Sequence, residues 1–322
     1  MLISELKAPL TTDMAAVDAV IRVSLTSDVA LVKQIAEYII AAGGKRLRPV
    51  LLLLVSGALG YNGPKAHELA AVVELIHTAT LLHDDVVDES ELRRGRKTAN
   101  AVFGNAASVL VGDFLYSRSF QMMVGTGSME IMQVLSEATN VIAEGEVLQL
   151  MNVGNAEVSE ADYLQVIRYK TAKLFEAASR LGAIVAGADE PAKAKMAEYG
   201  MRLGTAFQLI DDVLDYTGNV AETGKNAGDD LAEGKPTLPL LRVLSCGTPE
   251  QSAIAQLAIA NPGAVSFAVV FEALRASGAL DYTRKAAQAE AALAAAAAAS
   301  LPDSKHKESL LQLCVIAIAR GS

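Results

Sequence analysis

The chain contains no tryptophan, and phenylalanine and tyrosine make up only 5% of its 322 residues. A large core must therefore come from aliphatic side chains, and hydrophobic residues do account for 52% of the sequence. Alternating runs of Val, Ile and Thr bounded by hairpin turns are nearly missing, whereas apolar residues recur at the spacing of helices. These features predict an all-α protein with an aliphatic core.

Cysteine is scarce as well. Cys246 and Cys314 lie far apart and show no metal-ligand spacing, so we expect a reducing, cytoplasmic compartment in which both are small core residues. The N-terminus shows no basic segment followed by an apolar one, and no run reaches the ~18 apolar residues of a membrane span, so neither a secretory signal nor a transmembrane segment is predicted. The net charge of −9 argues against nucleic acid as a partner.

No linker or shift in composition divides the chain. Residues 1–322 are therefore predicted to form a single domain, built as one large helical bundle. A capping box formed by Ser159 and Asp162 predicts the start of one helix. The longest polar stretch runs from Thr217 to Pro239, and a loop of that length inside a compact domain is usually functional.

An acidic pattern, D-D-x-x-D, occurs twice, each time directly after an apolar segment. Its members are Asp84, Asp85 and Asp88 in the first copy, and Asp211, Asp212 and Asp215 in the second. Helix positions i and i+4 share a face, so each copy points two carboxylates in one direction despite their repulsion. One copy alone could be a solvated helix end, but the repetition favours a site. Mg²⁺ prefers one or two carboxylates plus substrate phosphate oxygens, so the motifs predict a diphosphate bridged by Mg²⁺ between two facing helices.

Two compact basic clusters accompany the acidic motifs: GGKRLRP at 43–49 and RRGRK at 93–97. Guanidinium groups bind phosphate through paired hydrogen bonds, so these clusters suggest a second anionic group held without metal. Either cluster alone could be solvated surface. His77 and Gln208, which precede the two acidic motifs, could likewise be ordinary core residues. The letters HDD at 83–85 also fit an HD-type phosphohydrolase, but that site needs further His ligands, and the chain has only four His.

The segments GGKRLRP, LIHTATLLHDDVVDESELRRG, KTAKLFEAA and GTAFQLIDDVLDY…GKNAGDDLAEGKPTLPLL follow one another in this order. Together they resemble the trans-isoprenyl (polyprenyl) diphosphate synthases, above all the bacterial octaprenyl type, over nearly the whole chain. The resemblance implies an isoprenoid-synthase bundle around a deep central cavity, acting as a homodimer. It also implies sequential condensation of isopentenyl diphosphate onto an allylic diphosphate, with farnesyl diphosphate as the expected primer. The product would supply quinone side chains, and its release could involve transient contact with a membrane.

The resemblance also implies residue roles. Asp84 and Asp88 would bind Mg²⁺ from one side and Asp211 from the other, with Asp85, Asp212 and Asp215 assisting and three Mg²⁺ per active site. The residues expected to face the allylic diphosphate are Arg93, Lys170, Thr171, Gln208, Lys225 and Lys235; the first four of these are the expected catalytic group. Those expected to hold isopentenyl diphosphate without metal are Lys45, Arg48, His77 and Arg94. The Thr171 carbonyl and Gln208 would stabilise the allylic cation.

Product length is predicted from the helix before the first acidic motif. Ala79 lies about 7.5 Å and Thr80 about 6 Å before Asp84 along the helix, at the level where a growing tail would descend. Short-chain members of the family carry a bulky aromatic here, whereas Ala79 leaves the passage open, so we expect a product of about C35 to C50 with C40 favoured. Met122 and Met123 are candidates for a deeper floor, or ordinary core methionines.

Two alternatives belong to other classes. A class I terpene cyclase also ionises a diphosphate with D-D-x-x-D, but it typically carries an NSE-type second motif and an aromatic-rich pocket. A non-catalytic subunit of a heteromeric synthase would not need two complete acidic motifs. Both alternatives fit the sequence less well than a synthase.

Overall fold

A computed structural model describes residues 8–41, 43–93, 95–218 and 228–319. The all-α prediction is confirmed, because helices account for most of this part of the chain and strands for almost none of it. After a 3₁₀ turn at Ala8–Leu10, the helices are α1 (Thr11–Ser24), α2 (Ala30–Ala41), α3 (Leu47–Ala58), α4 (Pro64–Val87), α5 (Ala99–Phe103), α6 (Asn105–Gly125), α7 (Met129–Asn152), α8 (Glu160–Ile167), α9 (Lys173–Val185), α10 (Glu190–Thr217), α11 (Asp229–Ala232), α12 (Leu238–Cys246), α13 (Pro249–Ala260), α14 (Phe267–Ala276), α15 (Ala279–Ala298) and α16 (Lys305–Ala319). A π-helical turn, Arg168–Ala172, joins α8 to α9.

Local sequence signals mark several helix starts. The Ser159 hydroxyl accepts a hydrogen bond from the Asp162 N–H at 3.1 Å, which confirms the predicted cap of α8. Pro64 opens α4, where its missing N–H costs nothing because the first helical N–H groups have no partner within the helix. The polar stretch from Thr217 to Pro239 is not all loop, since α11 lies within it.

A short hairpin departs from the purely helical prediction. Its strands, β1 (Leu92–Arg93) and β2 (Arg96–Lys97), pair antiparallel with Arg93 opposite Arg96. Strands of two residues are too short to show an alternating pattern, so the sequence held no signal for them. The hairpin contains the second basic cluster, and its pairing reverses the direction of the chain there.

The chain divides into two compact units. Unit 1 consists of Met1–Thr139, Leu174–Gly200 and Ala297–Leu313, and unit 2 of Asn140–Lys173, Met201–Ala296 and Cys314–Ser322. In unit 1 the long helix α4 packs against α1, α3 and α6. In unit 2 an aliphatic cluster brings α8, α10 and α12 together around Tyr163, Leu209 and Leu241. A single domain over residues 1–322 and a deep central cavity stay predictions.

The expectation for the cysteines is half wrong. Cys314 is buried, but Cys246 is exposed at the end of α12, where the helix gives way to Gly247. The two cysteines, both in described parts of the chain, form no disulfide. No described helix combines the length and apolarity needed to cross a membrane.

Candidate active site

The first acidic motif lies at the C-terminal end of α4. Asp84 and Asp88 are half-buried, whereas Asp85 is fully buried. Arg93 binds the Asp85 carboxylate through its Nε and Nη2 atoms, at 2.7 and 2.6 Å. The middle aspartate therefore anchors the hairpin, and the two outer aspartates remain accessible one helical turn apart.

The second acidic motif repeats this arrangement at the C-terminal end of α10. Asp211 and Asp215 are half-buried and Asp212 is 2% exposed. The Asp212 carboxylate accepts hydrogen bonds from the Tyr163 hydroxyl and from Gln208 Nε2, the latter at 2.9 Å. Burial, together with the charge of Asp230, raises the pKa of Asp212 from its ordinary value of 3.8 to about 8. Burial and the neighbouring Asp212 also raise the pKa of Tyr163.

Both motifs offer a cation the same environment. The C-terminal end of a helix carries a partial negative charge, and here it adds to a pair of half-buried carboxylates. Within the described residues, no group of three or more His, Cys, Asp or Glu side chains is already gathered around one point. The pair of half-buried carboxylates in each motif fits Mg²⁺, because this ion is commonly held by one or two carboxylates and completed by phosphate oxygens and water.

Asp215 is also connected to residues inside the polar stretch between Thr217 and Pro239. The Gly228 N–H donates to the Asp215 carbonyl at 2.8 Å, and the Asp230 N–H donates to its carboxylate at 3.3 Å. Gly228 has a φ of 85°, and an added Cβ would lie 2.6 Å from the Phe267 ring, so only glycine fits this return. Lys235, at the end of the stretch, pairs with Glu233.

Lys170 and Thr171 lie in the π-turn that joins α8 to α9. The Lys173 N–H bonds to the Arg168 carbonyl, five residues back, which is the π-helical pattern. Such turns are rare and occur often at functional sites. The Thr171 hydroxyl donates to Gln208 Oε1 at 3.0 Å, and Lys170 Nζ lies 2.6 Å from Glu146 Oε2. Thr171 and Gln208, which were expected to act together on the allylic cation, are thus in contact.

Close packing against α7 supports the π-turn. A Cβ on Gly145 would lie 2.6 Å from the Lys170 backbone nitrogen, so glycine alone lets the two backbones approach this closely. Arg168, the first residue of the turn, binds Glu290 at 3.0 Å, and the same carboxylate binds Arg202 on α10 at 3.1 Å. The turn is therefore fixed by packing on one side and by an ion pair on another.

The basic loop before α3 takes a strained conformation in unit 1. Arg46 has a φ of 49°, in the left-handed region that residues other than glycine rarely adopt. Its guanidinium pairs with Glu74 at 3.3 Å and with Asp18 at 3.5 Å, and these contacts hold the loop in place. Lys45 is exposed beside it, and the Arg48 guanidinium lies 4.6 Å from the centre of the Phe175 ring. Arg46 is therefore an anchor of the loop, and a role of Lys45 and Arg48 in binding an anion stays a prediction.

A pocket in unit 1 connects the basic loop to the first acidic motif. Residues from α2, α5 and three other elements line it, and the charged and polar ones include Arg46 from the loop, Glu74, Thr78 and Asp85 from α4, and Arg93 and Lys97 from the hairpin. His77, also on α4, is half-buried. Arg94 and Lys225, which were expected to bind substrate, lie outside the described residues.

The residues expected to set product length occupy different environments. Ala79 is fully buried, and the half-buried Thr80 donates its hydroxyl to the His77 carbonyl at 2.9 Å. Met123 is 1% exposed. The Met122 sulfur lies 3.3 Å from the Ser24 hydroxyl on α1. Their role in product length stays a prediction.

Sequence reasoning missed three residues of this region. Tyr163 and Glu74 are separated by many residues from the groups they contact, so no spacing could identify them. Gly145 left a weak signal, because an isolated glycine inside a helical pattern often marks a close backbone approach.

The chain is similar to known proteins in sequence and in structure. Residues 29–273 match the family model described as polyprenyl synthetase. The chain is 53% identical to octaprenyl diphosphate synthase of Escherichia coli (strain K12), covering 96% of each protein. It is 44% identical to an all-trans-nonaprenyl-diphosphate synthase (geranyl-diphosphate specific) of Rhodobacter capsulatus, covering 98% of this chain and 97% of that protein.

Among solved structures, a polyprenyl synthase from Caulobacter crescentus CB15, complexed with calcium and isoprenyl diphosphate, superposes with a TM-score of 0.95. The two proteins are 46% identical, and the match covers 100% of this chain and 98% of that one.

Proposed function

Because the chain belongs to the polyprenyl synthetase family, and is accordingly a prenyltransferase, we propose that it makes a long all-trans polyprenyl diphosphate. The reaction adds isopentenyl diphosphate units in sequence to an allylic diphosphate, with farnesyl diphosphate as the primer. The observation that carries this proposal is the repeated arrangement of two accessible carboxylates, one turn apart, at the C-terminal ends of α4 and α10. A diphosphate bound through divalent cations fits that arrangement.

The aspartates of each acidic motif have two proposed roles: the half-buried ones bind Mg²⁺, and the buried one supports them. Asp84 and Asp88 in the first motif, and Asp211 and Asp215 in the second, are half-buried and would hold Mg²⁺. Asp85 and Asp212 are buried and engaged with protein donors, so they support their neighbours. Bound Mg²⁺ would neutralise the charge that develops on the departing diphosphate. Three ions per active site is the number we propose from the family resemblance.

Ionisation breaks the bond between C1 of the allylic chain and its diphosphate oxygen. The positive charges of Lys170 and Arg93 would stabilise the departing diphosphate. Lys225 and Lys235 would add to this stabilisation. The remaining allylic cation is stabilised by oxygen dipoles, namely the Thr171 carbonyl and Gln208 Oε1. Because an amide oxygen has two lone pairs, Gln208 can accept from the Thr171 hydroxyl and still face a cation.

The second substrate needs no metal. Lys45, Arg48 and His77, with Arg94, would hold the diphosphate of isopentenyl diphosphate through charge-assisted hydrogen bonds. The strained Arg46 keeps the loop in the conformation that presents Lys45 and Arg48. The double bond of isopentenyl diphosphate then attacks the cation, and a proton is lost to the released diphosphate.

We propose a C40 product, serving as a quinone side chain. The octaprenyl relative supports C40, while the nonaprenyl relative at 44% identity shows how close the longer alternative is in sequence. A cytoplasmic location and transient contact with a membrane during product release stay predictions, the former supported by the lack of a disulfide.

A homodimer is the assembly we propose. An exposed apolar stripe on α7 supports it: Val147, Leu150 and Met151 are 57%, 63% and 71% exposed and share one helix face. Leu150→Glu would place a charge in this stripe. Size-exclusion chromatography with light scattering should then report a monomer, and a monomeric wild-type chain would contradict the proposal.

One product chromatogram tests the function. The chain is incubated with isopentenyl and farnesyl diphosphates in Mg²⁺, the products are dephosphorylated, and the alcohols are separated by length. We expect a dominant C40 alcohol that disappears in EDTA. A cyclic hydrocarbon would identify a terpene cyclase, and no turnover at all would favour a non-catalytic subunit.

A further inference from the structure

We propose that Tyr163 is a positioning residue for prenyl transfer: through Asp212, its hydroxyl orients the Gln208 side chain. This inference rests on the proposed function, because it concerns the residues that face the allylic cation. Tyr163 belongs to neither acidic motif nor to either basic cluster.

The Tyr163 ring is held firmly. It is 5% exposed and packs in the aliphatic cluster with Ile167, Leu209 and Leu241. A ring packed in this way has few alternative positions, so its hydroxyl stays on Asp212. The aromatic ring thus fixes one end of a chain of hydrogen bonds.

Asp212 connects the fixed Tyr163 hydroxyl to the Gln208 side chain. Each of its carboxylate oxygens receives one donor: Oδ2 accepts from the Tyr163 hydroxyl, and Oδ1 accepts from Gln208 Nε2 at 2.9 Å. With only 2% of its surface exposed, the group has little access to water for replacing either donor. The two bonds together set the plane of the carboxylate.

With Asp212 ionised, only one orientation of the Gln208 amide suits both of its neighbours. Nε2 faces the acceptor Asp212, so Oε1 faces the Thr171 hydroxyl at 3.0 Å. The reversed amide would set two oxygens against each other at Asp212. The hydrogen-bond relay of Tyr163, Asp212, Gln208 and Thr171 therefore connects α8, α10 and the π-turn, and it directs Gln208 Oε1 towards the π-turn.

Removing the hydroxyl should cost turnover and leave the second substrate unaffected. In Tyr163→Phe the ring still packs, but Asp212 loses a donor and its carboxylate can rotate. We expect kcat to fall about 10- to 100-fold, the range expected when reacting groups are displaced by up to an ångström. The KM for isopentenyl diphosphate should change less than about 2-fold, because Lys45 and Arg48 lie outside the relay.

A double-mutant cycle separates positioning from general destabilisation. The kcat of Tyr163→Phe is measured in the wild-type chain and in Gln208→Ala. If Tyr163 acts through Gln208, the second loss is much smaller than the first. Equal losses in both backgrounds would overturn the inference, as would an unchanged kcat in Tyr163→Phe.

Tyr282→Phe is the matched control. The Tyr282 hydroxyl also donates to a carboxylate, that of Glu160 at 3.0 Å, but this pair is exposed and outside the relay. We expect wild-type kcat from it, and a loss equal to that of Tyr163→Phe would contradict a specific role. If Tyr163→Phe does not fold, 3-fluorotyrosine at position 163 keeps the ring and hydroxyl and alters only the donor strength. An unchanged kcat in that protein would count against the proposal.

The proposed function is tested separately by the wild-type chain. A wild-type chain that makes no prenyl product disproves the function. A wild-type chain that is active while Tyr163→Phe is equally active disproves only the role of Tyr163.

Discussion

Gly145→Ala should disable the π-turn while leaving the fold nearly intact. The added Cβ would lie 2.6 Å from the Lys170 nitrogen and 2.8 Å from the Tyr169 Cβ, and ordinary contact begins at 3.4 Å. Both neighbours belong to the backbone or lie next to it, so no flexible side chain can move away. The π-turn must therefore shift by about 0.8 Å relative to α7.

The magnitudes favour an effect on activity over one on stability. Overpacking of this kind costs about 1–3 kcal/mol, and the better helix propensity of alanine offsets up to ~1 kcal/mol of it. The net loss of unfolding free energy is then at most about 3 kcal/mol, and about 2 kcal/mol or less where the offset is complete, which a protein of this size can tolerate. A displacement near 1 Å of Lys170 and Thr171, by contrast, can lower the rate by roughly 10²-fold.

The measurement pairs steady-state condensation kinetics with thermal unfolding. Gly125→Ala is the matched control, because Gly125 lies on a helix of unit 1, with a helical φ and nothing within 4 Å of an added Cβ. We expect Gly125→Ala to match the wild type in kcat and to be equally or slightly more stable. Equal kcat values for the two alanine variants would refute the argument that the close approach at Gly145 positions the π-turn.

Other predictions address the remaining parts of the site. Asp84→Ala or Asp211→Ala should lower turnover by about 10²-fold or more while the melting temperature holds or rises, because a repelling carboxylate is removed; full activity in either would exclude the metal assignment. Arg48→Ala should chiefly raise the KM for isopentenyl diphosphate, and a rise confined to the allylic KM would reverse the assignment of the two sites. Ala79→Tyr should shorten the product to about C15 to C20, and an unchanged chromatogram would show that the tail takes another path. Because the pKa of Asp212 is raised to about 8, the folded chain keeps a proton that the unfolded chain releases. The unfolding free energy in EDTA should therefore fall as pH rises from 5 to 8, by at most about 4 kcal/mol. Asp212→Asn should remove that slope in urea denaturation, and identical slopes would contradict the raised pKa.

The sequence by itself determined the fold class and the kind of chemistry. Helical spacing of apolar residues is a local property, so the all-α class could be read without any contact. The order along the chain of GGKRLRP, the two D-D-x-x-D motifs and KTAKLFEAA likewise carried the resemblance to a known family, and the residue types of these motifs indicated metal and phosphate chemistry. Helical periodicity also placed Asp84 with Asp88, and Asp211 with Asp215, on a common face.

Only the tertiary structure decided how the aspartates divide their work. Burial of Asp85 and Asp212 depends on Arg93 and Tyr163, and the second of these lies 49 residues from its partner. The role of Arg46 as an anchor depends in the same way on Glu74. The backbone of the π-turn at Arg168–Ala172 lies so close to α7 that only a residue without a side chain, Gly145, fits at the contact. Contacts between residues distant in the chain leave no periodic signal, because the spacing that brings them together is set by how the helices pack.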